Sequence, residues 1–246
     1  MEGQKCFKCI ACDVLFREYS LAATESSNII KLAFMRQGLH SAGAEAMSKA
    51  LQEEIDNTDI DTYDAILLGY GLCSYGVRGL HSQLPLVIPR AHDCITLLMG
   101  DRDKYMDYFG KNPGTFYLSA GWLERTRLER SINEADRLPG SRYTREEMIE
   151  RYGEEMADYI AETLGSWNKN YSKYTFIDTG TGPLELYEKE AKSRAAEKDW
   201  EYEKYIGDNR LVQLMFAGEW NDYDFLVVPP GKKIKPSYDD GIIGFE

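Results

Sequence analysis

The stretch AILLGYGLC, residues 65–73, joins a short apolar segment to a loop that carries glycine and cysteine. Its first five residues lack the alternation of a half-exposed strand, which is typical of a strand buried on both faces of a parallel sheet. Comparable segments lie at CFKCIACDVL (6–15), NIIKLAFMRQG (28–38) and PLVIPRAHDC (85–94). An amphipathic helix is predicted at 43–57 and a second helix at 95–112. Strands that alternate with helices in this way predict an α/β fold built on a parallel, Rossmann-like sheet.

Two arrangements of the whole chain account for the segments that follow. In the first, two α/β units repeat one design: residues 1–112, and residues 113–246 with a helical insertion at about 134–170. In the second, a single α/β sheet carries the insertion. The later segments are the strand and helix GTFYLSAGWLERT (114–126), the strand KYTFIDTG (173–180), a long polar helix at 183–205 and the strand DFLVVPPG (224–231).

The charge balance argues against two classes of partner. Asp and Glu number 41 against 29 Lys and Arg, which gives a formal net charge of −12. Nucleic acids and anionic membrane surfaces both need clustered basic residues on the protein. No apolar run approaches the roughly 20 residues of a membrane-spanning helix. We therefore expect no nucleic acid and no membrane as partners, which leaves a small-molecule substrate or another protein.

The cysteine count predicts a reducing compartment. Five cysteines are an odd number, and three of them crowd into the segment KCFKCIACDV, whereas a disulfide framework usually spreads an even number over a short secreted chain. The N-terminal segment also lacks the basic start and small-residue cleavage site of a signal peptide. We expect a cytoplasmic protein whose thiols are free or bound to metal.

Three cysteines stand where predicted strands end. Cys12 ends the first strand, Cys73 follows AILLG, and Cys94 follows PLVIP with His92 two residues before it. Because the carboxyl ends of parallel strands meet at one edge of a sheet, we expect these side chains to share that edge. Thiolates and imidazole suit zinc in a tetrahedral site, and three thiolates equally suit a four-iron cluster. The alternative for each thiol is a small buried apolar side chain.

The even spacing of Cys6, Cys9 and Cys12 resembles an iron–sulfur motif, but a strand would separate the three thiols. Successive side chains of a strand point to opposite faces, so Cys9 would face away from the other two. Cys6 would lie about 20 Å from Cys12 at roughly 3.3 Å per residue. The triplet therefore cannot share one metal, and the partners of Cys12 are expected to be the distant Cys73 and Cys94.

Further candidate binding residues surround these strand ends. Gly69 and Gly71 would permit close backbone approach of a cofactor, and Tyr70 would stack on a planar ligand or cover the core. Arg17 and Arg90 are placed to bind a carboxylate or phosphate of the substrate, with a local ion pair as the commoner alternative.

Arg90 and Asp93 are the candidate catalytic residues, and Asp93 adjoins both His92 and Cys94. It would orient His92 or another ligand, or it would cap a helix N-terminus, which is the commoner use of Asp at such a turn. The chain contains no G-x-S-x-G and no H-E-x-x-H motif, so the hydrolase classes defined by those motifs lose their main support.

Several motifs resemble a family known by its number, domain of unknown function 1638, over roughly residues 7–235. The motifs are IACDVLFRE, LLGYGLCSYGVRGL and IPRAHDCITLLMGDRDKY, the last followed by NPGTFYLSAGW. The resemblance implies a setting in corrinoid-dependent methyl transfer in anaerobes and methylotrophic bacteria, without implying a reaction. Its pattern falls on Cys12, Gly71, Cys73, Arg90, His92, Asp93 and Cys94, and not on Cys6 or Cys9.

Three hypotheses follow for the function. The first is a metal-binding protein of corrinoid and one-carbon metabolism, a methyltransferase or its accessory, in which Cys12, Cys73, Cys94 and His92 bind zinc or, with the cysteines alone, an iron–sulfur cluster. The second is a non-catalytic protein that binds a corrinoid, or a corrinoid protein, and whose cysteines are structural. The third is a thiol enzyme with Cys94 as nucleophile and His92 as base, which residues at i and i+2 of a regular element do not favour.

Overall fold

The computed structural model describes residues 3–130, 148–150, 153–165, 170–237 and 241–246. Most of the predicted helical insertion at about 134–170 lies outside these residues. Within the described ranges, no helix combines the length and apolar character that crossing a bilayer requires. The strands are β1 Cys6–Cys12, β2 Ile29–Met35, β3 Ala65–Gly69, β4 Leu86–Pro89, β5 Thr115–Ser119, β6 Lys173–Asp178, β7 Glu201–Ile206, β8 Phe225–Val228, β9 Ile234–Pro236 and β10 Ile243–Phe245.

Helices cover the sheets and connect most of the strands. They are α1 Phe16–Glu25, α2 Gly38–Ser41, α3 Ala44–Asp56, α4 Cys94–Met99, α5 Arg102–Lys111, α6 Ala120–Arg130, α7 Glu154–Gly165, α8 Leu184–Glu197 and α9 Arg210–Ala217.

The strands form a five-stranded and a three-stranded sheet, with β9 and β10 as a separate antiparallel pair. The larger sheet has the order β2-β1-β3-β4-β8, in which the first four strands are parallel and β8 runs antiparallel beside β4. The smaller sheet, β5-β6-β7, is entirely parallel. Parallel sheets flanked by helices confirm the predicted α/β, Rossmann-like fold. The predicted strand at 224–231 crosses back to the larger sheet, although most of the second half builds the smaller one.

The strands β1, β3 and β4 of the larger sheet are buried on both faces, as their apolar residues predict. Phe7, Cys9 and Ala11 of β1 pack on one face with α1 and α9, and Ile10 packs on the other face with α3. This alternation places the fully buried Cys9 in the core, away from the strand end. The smaller sheet has its own apolar cluster with α6 and α8.

Two predicted helices differ from the structure at their ends. The single helix expected over 95–112 is divided at Gly100, whose φ of 76° ends α4, and the side chain of Asp101 then caps α5. The long helix expected over 183–205 ends at Glu197, and its last part forms β7. That part, EYEKYI, pairs along its whole length with β6, and this tertiary pairing overrides its polar composition.

The start of α6 is docked closely on the turn that follows β1. A β-carbon on Gly121 would overlap the Val14 carbonyl group, so only glycine permits the contact. Arg125, one helical turn further on, donates from Nε to the Asp13 carbonyl oxygen at 3.0 Å. This docking joins the carboxyl end of β5 to the carboxyl end of β1 and brings Trp122 to the larger sheet.

Replacing Gly121 with alanine is expected to destabilise the fold by about 1–3 kcal/mol, because α6 must move away from the Val14 backbone. Urea unfolding gives the free energy directly. Gly110→Ala is the matched control, since a β-carbon at Gly110 in α5 meets no atom within 4 Å. The control should be neutral or stabilising, as alanine is the better helix former. Equal stability of the Gly121→Ala variant and wild type would contradict the docking described.

Candidate functional site

A cavity of about 270 Å³ opens at the carboxyl edge of the larger sheet. The side chains of Cys12, Cys73 and Cys94 all line it, together with His92 and Asp93. We call it the thiol pocket. The structure therefore brings together the three cysteines and the histidine that the sequence places at separate strand ends.

The backbone around the pocket explains how three distant thiols meet. Cys12 is the last residue of β1, and Cys94 is the first residue of α4. Cys73 lies in the loop beyond β3, where its N–H donates to the His92 carbonyl at 2.9 Å and the neighbouring Leu72 N–H donates to the Ala91 carbonyl at 2.8 Å. These two bonds join the loop after β3 to the loop after β4, which continues the contact between the two strands.

Gly71 is required where these loops meet. A β-carbon there would lie 2.7 Å from the Asp93 nitrogen and 2.8 Å from the Ala91 carbonyl oxygen, both of them backbone atoms. A β-carbon on Gly69 would likewise lie 2.5 Å from the Ala11 β-carbon and 2.8 Å from the Tyr19 ring. Close packing within the protein therefore accounts for both glycines. From the sequence, we expected them to let a cofactor come close to the backbone.

The loop beyond Gly71 holds a strained backbone. Cys73 has φ of 42° and Tyr75 has φ of 69°, in the left-handed region that side chains other than glycine rarely adopt. Each such residue costs about 1–3 kcal/mol and persists only where its surroundings enforce it. One of these strained residues, Cys73, supplies a thiol of the pocket. Strain that is maintained at this position supports a functional role for that thiol.

Burial keeps the thiols of Cys73 and Cys94 protonated near neutral pH. It raises the pKa of the Cys73 thiol to about 12, an effect that an interaction with Gly71 opposes and the nearby Cys12 strengthens. Burial also raises the pKa of Cys94 well above its usual value, and Asp93 raises it further. The indole N–H of Trp122 opposes that second shift. The thiolate is the nucleophilic form of cysteine, so both protonated thiols are poor nucleophiles as they stand.

Asp93 caps the N-terminus of α4, which is one of the two roles that the sequence predicts for it. Its Oδ1 accepts hydrogen bonds from the N–H groups of Ile95 at 3.0 Å and Thr96 at 3.3 Å, which satisfies the N-terminus of α4. Its Oδ2 accepts from the Tyr105 hydroxyl at 3.1 Å. The same carboxylate thus fixes the orientation of α4 and, with it, the position of Cys94.

The remaining predicted residues divide between the pocket and other places. His92 is exposed and the buried Tyr70 lines the pocket wall. Arg17 hydrogen-bonds to Glu124. Arg90 donates to the backbone carbonyls of Asp222, Gly241 and Ile243, which ties the C-terminal segment to the end of β4. Neither arginine lines the thiol pocket.

Three side chains with polar atoms line the pocket and were not predicted from the sequence: Arg36, Gln37 and Trp122. Arg36 and Gln37 follow β2 directly, so the strand-end rule that identified the cysteines also applies to them. The predicted strand extends to residue 38 and therefore includes Arg36 and Gln37 as part of the strand rather than as residues that follow it. Trp122 follows β5, a strand of the smaller sheet, and no sequence signal connects it to the cysteines.

As the side chains stand, no three His, Cys, Asp or Glu residues within the described ranges are arranged to hold a metal ion. The pocket gathers soft ligands, and their present orientations do not converge on one point.

Comparison with known proteins gives a single kind of match. The family described as "Protein of unknown function (DUF1638)" matches residues 34–215, which is more than half of the chain. The matched segment contains Cys73, His92 and Cys94 and begins after Cys12. No curated protein and no solved structure matches the chain.

We expect Cys73 and Cys94 to react slowly with iodoacetamide in the folded, chelator-treated protein. A pKa of about 12 for Cys73 lowers its thiolate fraction at pH 8 by on the order of 10³ relative to a free cysteine. Peptide mass spectrometry measures the rate for each cysteine, and the urea-unfolded protein, in which all five should react alike, is the control. Alkylation of Cys73 in the folded protein at the unfolded rate would contradict its burial in a neutral state.

Proposed function

The chain belongs to the DUF1638 family of proteins of unknown function, and we propose that its thiol pocket binds a soft metal ion, with zinc favoured. Cys12, Cys73 and Cys94 supply three thiolates, and the exposed His92 supplies the fourth ligand. The observation that carries the proposal is that three thiols from three separate strand ends line one cavity.

The three thiols and the imidazole are chemically suitable ligands for zinc, but their side chains must rearrange to bind one ion. Thiolates and imidazole are the ligands that zinc takes in proteins. Since the side chains do not converge as they stand, the thiols must turn toward a common point. A cysteine side chain turns about one bond between staggered rotamers, and the proposal requires such a turn of the thiols.

The proposed setting is methyl transfer in corrinoid and one-carbon metabolism, which the family motifs suggest. A bound zinc ion acts as a Lewis acid and lowers the pKa of a coordinated thiol or water. The protein itself would act there as a methyltransferase or as the accessory of one, in the cytoplasm, with a small-molecule substrate or a corrinoid protein as its partner.

A second candidate is a non-catalytic protein that binds a corrinoid or a corrinoid protein, with cysteines that are only structural. The observation that favours it is the raised pKa of Cys73 and Cys94, because neutral buried thiols are inert apolar groups. The Tyr70 and Trp122 rings in the lining would then contact a planar ligand.

Metal analysis of protein purified without oxygen tests the first candidate. We expect about one metal ion per chain in wild type, and its loss in Cys73→Ser and Cys94→Ser, because each variant removes one of the three soft ligands. Cys6→Ser is the matched control, since Cys6 lies at the opposite end of β1 from the pocket and should leave the metal content unchanged.

Protein that contains no metal, or variants that keep it, would contradict the metal site. The visible spectrum of the same samples separates the alternatives. A corrinoid gives a red colour without metal bound by cysteine, and an iron–sulfur cluster gives broad thiolate-to-iron absorbance.

Zinc binding is expected to release protons and to strengthen as pH rises. Burial raises the pKa of Cys73 and Cys94, so both are protonated at pH 7 and must lose their protons to bind the cation. The apparent affinity should rise by about tenfold per pH unit for each proton released. Zinc titration in weakly buffered solution with a pH indicator counts the protons, and Cys73→Ser should release about one fewer. Affinity that does not change between pH 6 and 8 would contradict thiolate ligation.

A further inference from the structure

The thiol pocket contains an arginine for which the protein supplies no partner. Arg36 is exposed beside the pocket, and among the described residues its guanidinium forms no hydrogen bond and no ion pair. Arg17 and Arg210 of this acidic chain are paired, with Glu124 and Asp224, whereas within the described ranges Arg36 and the exposed Arg78, which lies outside the pocket, are not. The charge of Arg36 acts only from a distance on the Asp13 carboxyl, whose pKa it helps to lower against the effect of burial.

Two buried polar atoms of the same lining also lack nitrogen or oxygen partners within the described structure. Gln37 is 8% exposed, and its Oε1 accepts no hydrogen bond. The buried Trp122 Nε1 has no nitrogen or oxygen atom of the described residues to donate to and lies beside the Cys94 sulfur, which is a weak acceptor. A buried polar atom without a hydrogen bond costs about 1–3 kcal/mol, and native proteins leave few of them. An unused acceptor, a donor with only a thiol beside it and an unpaired cation in one cavity point to a ligand that satisfies all three.

The rest of the lining limits the size and character of that ligand. Val14, Leu39, Met47 and Ile95 make much of the wall apolar. The volume of about 270 Å³ lies just below the range of roughly 300–1,000 Å³ for drug-sized ligands, so the ligand is small. A single guanidinium, with the Asp13 carboxyl nearby, suits one negative charge better than the two of a phosphate monoester.

We propose that the thiol pocket binds a short-chain hydroxy carboxylate. Its carboxylate pairs with the planar fork of Arg36, the geometry in which guanidinium groups bind carboxylates. Its hydroxyl donates to Gln37 Oε1, an oxygen of the ligand accepts from Trp122 Nε1, and its short hydrocarbon body contacts the apolar wall. The inference rests on the proposed function in locating the ligand at the same pocket, and the carboxylate contact itself involves none of the cysteines.

Binding of 3-hydroxybutyrate, measured by calorimetry, tests the ligand class. Butyrate is the matched probe without the hydroxyl, 3-hydroxybutyramide the matched probe without the charge, and inorganic phosphate the probe for any small anion. We expect saturable binding of 3-hydroxybutyrate, weaker binding of butyrate and none of the amide. Absence of saturable binding by both carboxylates, or equal binding of phosphate or of the amide, would overturn the proposal.

Variants of Arg36 test the site. Arg36→Gln should weaken 3-hydroxybutyrate binding by about tenfold or more, the effect of losing a hydrogen bond to a charged group, and Arg36→Lys should retain part of the affinity. Arg78→Gln removes the same charge from an exposed position outside the pocket and should bind as wild type does. Unchanged affinity in Arg36→Gln would overturn the assignment of the carboxylate to Arg36.

Metal content measured on the same samples separates this inference from the proposed metal site. Arg36→Gln that keeps its metal and loses the carboxylate supports both. Wild-type protein that contains no metal but binds 3-hydroxybutyrate through Arg36 would contradict the metal site alone. Thermal unfolding of each variant checks that the fold is intact, and Arg36→Lys, which keeps the charge, gives a second readout should Arg36→Gln unfold.

Discussion

The close contact between the loops that follow β3 and β4 is the constraint on which the thiol pocket depends. Gly71 lies so near the Ala91 carbonyl and the Asp93 nitrogen that no side chain fits between them. The contact allows the N–H of Cys73 to reach the His92 carbonyl and holds Cys73 with a positive φ. Asp93, on the other side of the contact, caps α4 and so fixes Cys94. One backbone approach therefore sets the positions of two of the three thiols.

The second constraint is the docking of α6 on the turn after β1. Gly121 lies against the Val14 carbonyl, and Trp122 therefore lines the pocket at the edge of the larger sheet, although it follows a strand of the smaller one. The pocket thus depends on glycines at two places where backbone meets backbone. In both cases glycine serves close packing of the protein, and the proposed ligand contacts come from the neighbouring side chains.

The sequence predicted the fold where local pattern decides it and failed where tertiary pairing decides it. Continuous apolar runs identified β1, β3, β4 and β8 because strands buried on both faces need apolar residues throughout. The polar strand β7 was missed, since its state is set by pairing with β6 rather than by its own residues. The return of β8 to the larger sheet as an antiparallel neighbour of β4 has no signature in its local sequence.

The rule that strand ends share one edge of a parallel sheet was sufficient to collect Cys12, Cys73, His92 and Cys94. It failed for Arg36 only because the end of β2 was placed a few residues late. Arg17 and Arg90 satisfied the same rule, yet the structure engages both within the protein, in contacts that depend on segments distant in sequence. A position near a strand end therefore makes a residue a candidate for the pocket. Its contacts in the folded protein decide whether it lines the pocket.

X-ray absorption at the zinc edge of the zinc-loaded, anaerobic protein tests the central claim most directly, that the three pocket thiols bind one metal. We expect three sulfur neighbours at about 2.3 Å and one nitrogen at about 2.0–2.1 Å. A coordination shell of nitrogen and oxygen alone, or with a single sulfur, would contradict it.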